Sequence, residues 1–263
     1  MKELAFNISL FFYFIASLKH ILYLVLRRRF LYLVANWTVG IGFVAQFIGL
    51  ILRSAETGHG PYTSIYEYSL FLSWAIILSY FFVEFKYRFK DLGVFVVPLA
   101  FFMMLYASSL PQESNPAESS SMKFWLTIHR TLSMLGLGAF AIAFAASIMY
   151  LVQEKLLKTK KIGSLFQRLP SLEVLDNVMH LIITVGFPIF TIGFITGSIW
   201  IGKTKGSFFS WDVQKTLPLL ITWFIYGSLF IGRIVAGWRR KKAAVISIVG
   251  FFSVVVTYIL HAY

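Results

Sequence analysis

Cysteine is absent from the 263 residues, which excludes a disulfide framework, a thiolate metal site and a CxxC redox pair. Charge is scarce as well. Only 13% of the residues are Asp, Glu, Lys or Arg, against roughly a quarter in an ordinary soluble domain. Acids are the scarcest, with 11 Asp and Glu against 24 Lys and Arg. Neither an HExxH spacing nor a set of Ser, His and carboxylate in a recognisable motif occurs, so hydrolase chemistry has no basis here.

What fills the chain is apolar: 58% of residues are hydrophobic and 28 are Phe. They fall in runs of about 20, the length needed to cross a hydrocarbon core. Spans are expected near 4 to 26, 33 to 52, 64 to 83, 92 to 109, 124 to 152, 177 to 201, 217 to 236 and 243 to 260. Each should be helical, because backbone groups in lipid must bond within their own segment. The first run, ELAFNISLFFYFIASLKHILYLVL, is about twice as long as a signal-peptide core and lacks a small-residue cleavage site, so it reads as a mature span. The fold class is therefore all-α: a polytopic membrane helical bundle with about eight transmembrane helices, forming a single integral membrane domain over 1–263.

The breaks between spans alternate in charge. Arg27, Arg28 and Arg29 fill the first, Lys86, Arg88 and Lys90 the third, Lys155, Lys158, Lys160, Lys161 and Arg168 the fifth, and Arg239, Arg240, Lys241 and Lys242 the seventh. Basic residues collect on the cytosolic side of membrane proteins, so the even number of spans puts both termini outside. The net charge of +13 is then a topology signal, and nucleic acid is not an expected partner. The basic cytosolic loop near 153–175 could meet anionic lipid headgroups or a partner protein. Three loops face outward: 53 to 63 with His59, 110 to 123, and 202 to 216. Within span six, Pro188 is expected to kink or locally unwind the helix, and Gly193 and Gly197, four apart, permit close helix contact.

The 202 to 216 loop contains FFSWDVQKT, an unusual connector with Phe208, Phe209, Trp211 and Asp212 side by side. Two of the five His, His129 at the outer end of span five and His261 at the outer end of span eight, lie at the same membrane face. Lys203, Lys205 and Lys215 sit on the face that otherwise avoids positive charge. A heme would give this set a purpose: a flat macrocycle for the aromatic rings, iron for two imidazoles, and propionates for lysine or Arg130. Without CxxCH it would be heme b, held noncovalently. An aromatic interfacial belt with snorkelling lysines fits the same residues. His20 and His180, toward the cytosolic side of spans one and six, form a candidate second heme site, although each could instead bond a neighbouring helix carbonyl. Glu67 is expected to pair with Arg53 or Arg130 as structure, and Lys19 and Arg233 are almost the only other charges inside spans.

At these residues the chain resembles the cytochrome c assembly family, the CcsA, ResC and CcmC type. LDNVMHLIITVGFPIFTIGFITGSIW (175 to 200), SFFSWDVQKT, LITWFIYG (220 to 227) and GWRRKKAA (237 to 244) follow the family pattern in order. GPYTSIYEYSLFLSW (60 to 74) is similar to its Pro, Tyr-Glu, Phe-x-x-Trp segment, and FWLTIHRTLSMLG (124 to 136) to its first outer-histidine segment. The resemblance implies a helical bundle whose tryptophan-rich outer loop and two flanking outer histidines hold heme for delivery to apocytochrome c. His129 and His261 stand where those histidines stand, as ligands of the heme iron, and Trp211 and Asp212 match the loop's Trp-Asp. The partners it implies are apocytochrome c and a CcsB/ResB-type membrane protein, at the plasma membrane of a bacterium; it implies a carrier or assembly factor, not an enzyme.

The chain departs from the pattern at several positions. Lys205-Gly206 replaces Trp-Gly, Phe209 replaces a Trp, Val213 and Lys215 replace Pro and Glu, and the spacing to Trp223 is one residue longer. The histidine usual within the following span falls at Ile231. These departures bring the HemX-like branch into view, whose role would be regulating tetrapyrrole synthesis through an enzyme on the cytosolic side. A heme-containing, quinone-linked oxidoreductase subunit is a third reading.

Overall fold

The structure, a computed structural model, describes residues 1–87, 89–112, 120–160, 163–206 and 213–262, with the backbone alone for 120–122, 164, 205, 213–215 and 260–262. The described residues form nine helices: α1 (Lys2–Leu26), α2 (Arg29–Thr57), α3 (Ile65–Tyr87), α4 (Gly93–Ser108), α5 (Ser120–Lys158), α6 (Ser164–Arg168), α7 (Leu172–Lys205), α8 (Val213–Ile234) and α9 (Arg240–Ala262). No strand occurs among the described residues. Among the described residues, seven helices are long and apolar enough to cross a membrane. Each of the eight expected spans is met by a helix, so the chain is a polytopic helical membrane protein.

Lengths differ from the even spans read off the sequence. Helix α4 has 16 residues, about 24 Å at 1.5 Å per residue, short of the ~30 Å core. Its polar end at Ser108 and Ser109 and the loop at Phe89–Leu92 limit it. Helix α5 has 39 residues and continues into the basic stretch, where Lys158 pairs with Glu154 one turn earlier at 2.8 Å. Such an i,i+4 pair supports an exposed helix end that a hydropathy reading takes for loop. Of the kink or local unwinding expected at Pro188, the unwinding is not found: α7 runs as one helix of 34 residues past it.

The chain divides into two compact units, Met1–Lys123 and Phe124–Tyr263. In the first, α1 and α2 form an antiparallel hairpin. Arg27, in the left-handed conformation at φ 54°, closes α1 and turns the chain. Buried polar groups then tie helix to helix. Tyr13 Oη–H donates to Gln46 Oε1 at 2.7 Å, Gln46 Nε2–H donates to the Leu70 carbonyl at 2.9 Å, and Ser73 Oγ–H to the Ala100 carbonyl at 2.9 Å. At the basic end, Glu84 accepts from Tyr32 and from Asn36 Nδ2. Nearby, Arg27 pairs with Asp91 at 2.6 Å; burial pushes the Asp91 carboxyl up from its ordinary range, while Arg27 pulls it the other way.

In the second unit α5, α7, α8 and α9 pack side by side. Phe140 of α5 stacks on Tyr226 of α8 with centroids 3.6 Å apart, and Phe144 on Phe251 of α9 at 4.3 Å. Trp223 Nε1–H of α8 donates to Thr191 Oγ1 of α7 at 3.1 Å. Thr222 of α8 bonds Ser253 at 2.9 Å and Thr257 at 3.3 Å on α9. Such internal pairing suits helices that must satisfy polar side chains away from water.

Candidate functional site

The α5–α7 seam runs antiparallel. Ser147 Oγ–H meets Met179 Sδ at 3.0 Å, and Gly136 lies against Phe190, Ser133 against Gly193, and His129 against Gly197. This register places the start of α5 beside the end of α7. The α8–α9 pairs run antiparallel too, so the start of α8 and the end of α9 share one end of the unit. His261 lies on the α9 backbone one helical turn beyond Thr257, and thus at the same end as His129.

His129 is half-buried, and its Nδ1 stands 2.7 Å from the Gly193 carbonyl oxygen. A carbonyl can only accept, so Nδ1 carries a proton, and in the neutral ring Nε2 then carries the lone pair. This is the tautomer in which imidazole binds a metal, with the second nitrogen held by a backbone oxygen. The seat is made by missing side chains. A Cβ at Gly197 would come 2.6 Å from both Nδ1 and Cε1 of His129, and one at Gly193 would come 2.7 Å from Ser133 Oγ. Thus the Gly193 and Gly197 pair noted in the sequence is a packing notch, and it seats a candidate ligand.

Trp125 lies one turn before His129 on α5, and Lys203 of α7 sets its Nζ 5.2 Å above the Trp125 ring. Sequence reasoning singled out Lys203 but missed Trp125, although its spacing of four from His129 was a usable signal. Arg130 is half-buried beside His129. Helix α7 ends at Lys205, and Gly206 follows at φ 73°, a left-handed cap that glycine adopts without strain. Phe208, Phe209, Trp211 and Asp212 lie outside the described residues, as do the side chains of Lys205 and His261.

The remaining histidines are placed differently. His20 of α1 is fully buried beneath Gly93, edge-on to Tyr80 at 6.2 Å. His180 of α7 is exposed and belongs to the other unit. His59 is buried in the α2–α3 loop, where its Nδ1–H donates to the Gly60 carbonyl at 2.8 Å. Glu67 pairs with Arg53 at 2.9 Å, as expected. Arg233 is bound to Asp176 at 2.8 Å. No group of three or more His, Cys, Asp or Glu gathers as a metal-ion site among the described residues.

Fold and site together define a multi-pass helical membrane protein that presents a tautomer-fixed imidazole at one end of its second unit. The chain belongs to the cytochrome c assembly protein family, whose model matches residues 62–263. It is similar to the cytochrome c biogenesis protein CcsA of Heterosigma akashiwo, 33% identical over 84% of this chain and 81% of the relative. The CcsA of Trieres chinensis is 29% identical over 87% and 88% of the two chains, and that of Marchantia polymorpha 30% identical over 84% and 83%.

Proposed function

We propose that the chain holds heme b noncovalently at the outer face as cargo for apocytochrome c, with His129 and His261 as the two axial ligands. The observation that carries this reading is the Nδ1–H bond from His129 to the Gly193 carbonyl at 2.7 Å. It presents Nε2 as the donor atom and fixes the ring plane. Phe208, Phe209, Trp211 and Asp212 form the platform, and Arg130 and Lys205 serve the propionates. The protein's part is holding and release, without covalent chemistry on the cargo, so it acts as an assembly factor and not as an enzyme. A CcsB/ResB-type protein is its membrane partner. The name shared by relatives that align over more than four fifths of both chains favours delivery over HemX-like regulation or quinone-linked oxidoreduction. The face concerned is the outer side of a bacterial plasma membrane, or its equivalent in an organelle, since relatives come from eukaryotes such as Marchantia polymorpha.

The test is the absorption spectrum of the purified protein, oxidised and reduced, beside the His129→Ala, His261→Ala double variant. A Soret band lost or shifted in the variant supports the reading. An absent band in the parent, or an identical band in the variant, rejects it.

A further inference from the structure

The Gly193 carbonyl that fixes His129 has a second donor. Thr196 Oγ1 lies 2.8 Å from the same oxygen and 2.9 Å from the Ile192 carbonyl. Its hydroxyl has one proton to place between two acceptors. Thr196 is buried, with 7% of its surface exposed, so bulk water does not readily replace it. Whatever share of that proton reaches Gly193 draws electron density from the oxygen that His129 also uses. The imidazole Nδ1–H bond is weakened to the same degree, and with it the basicity of Nε2.

We infer that Thr196 is a positioning residue for His129, setting through the shared Gly193 carbonyl how strongly Nε2 donates to a bound iron. This rests on the proposal that His129 is an axial ligand, but its first consequence belongs to the protein alone. Outer partners of a ligating histidine adjust its donor strength and hence the potential of the metal. A stronger Nδ1–H bond gives the ring more imidazolate character, favours ferric over ferrous iron and lowers the midpoint potential. Thr196 thus holds the ligand weaker than it would otherwise be. For a heme that must leave its carrier, a weaker donor favours release.

The test is Thr196→Val, which keeps the shape and removes the hydroxyl, beside Thr196→Ser, which keeps the hydroxyl. In heme-free protein labelled at histidine, the Nδ1–H proton resonance that disappears in His129→Ala should move downfield in Thr196→Val and stay in place in Thr196→Ser. In heme-loaded protein, the midpoint potential should become more negative in Thr196→Val only. A resonance and a potential both unmoved by Thr196→Val would overturn the inference while leaving the heme reading intact. The heme reading instead fails on a spectrum insensitive to the two histidines, and the heme-free resonance still decides whether Thr196 acts on His129.

Discussion

Arg53 and Glu67 form an ion pair 2.9 Å long between α2 and α3, with side chains only 3% and 0% exposed. Glu67 also accepts from the Thr63 N–H at 2.8 Å and its hydroxyl at 3.0 Å, so one carboxylate closes the α2–α3 loop and caps α3. Arg53→Ala is expected to destabilise the protein by about 3–5 kcal/mol, because it strands a buried carboxylate. Thermal unfolding in detergent measures this. The Arg53→Met, Glu67→Gln double variant should recover part of the loss, since glutamine still accepts from Thr63 without bringing a charge. Equal stability of parent and Arg53→Ala would show that the pair contributes nothing net.

A second ion pair, within the Phe124–Tyr263 unit, lies at the end away from His129. Arg233 reaches Asp176 Oδ1 at 2.8 Å and the Asp176 carbonyl at 2.9 Å, and Asp176 Oδ1 also accepts the Arg240 N–H at 2.9 Å. One residue of α7 therefore holds both the end of α8 and the start of α9. Asp176→Ala leaves the buried guanidinium and the α9 N-terminus without this acceptor, and a loss of about 3–5 kcal/mol is expected. Asp176→Asn should lose less, because it keeps an oxygen for Arg240. Unfolding midpoints ranked parent, Asn, Ala would support this account, and Asn equal to Ala would oppose it.

The α5–α7 seam separates stability from ligand placement. A Cβ at Gly186 would meet Ala139 Cβ at 2.7 Å, far from His129 along the helix, whereas one at Gly197 would meet the His129 ring at 2.6 Å. Each alanine substitution overpacks the seam and should cost about 1–3 kcal/mol. Only Gly197→Ala should also lower heme occupancy or shift the Soret band. If both variants bind heme equally well at matched stability, the seat of His129 does not need the Gly197 notch.

Eight apolar runs located eight helices, because a lipid-crossing segment is legible from composition alone. Their ends were less legible: Lys158 looks like loop by charge, yet its bond to Glu154 keeps α5 helical. The Gly193 and Gly197 spacing announced a close contact, but not that its occupant was His129. That contact depends on a backbone oxygen 64 positions away, which no side-chain pattern encodes. Span position and resemblance already separate His129 from His20, but only packing shows that His129 is bonded through Nδ1 and that His20 is sealed under Gly93.

His20 supplies the sharpest contrast between stability and function. Its ring is fully buried, and neither nitrogen has a hydrogen-bond partner among the described residues. A buried polar group left unsatisfied costs about 1–3 kcal/mol, whereas an apolar side chain of similar size at the same place does not. His20→Leu should therefore stabilise the protein by about 1 kcal/mol or more, read as a higher unfolding midpoint. If the histidine serves only packing, the heme spectrum should stay as in the parent. A stabilised protein whose spectrum loses intensity would instead mark His20 as a ligand retained at the expense of stability. A destabilised protein with an unchanged spectrum would show that the imidazole fits its enclosure better than leucine does, and that the absence of hydrogen bonds is offset by packing against Tyr80 and the α4 N-terminus.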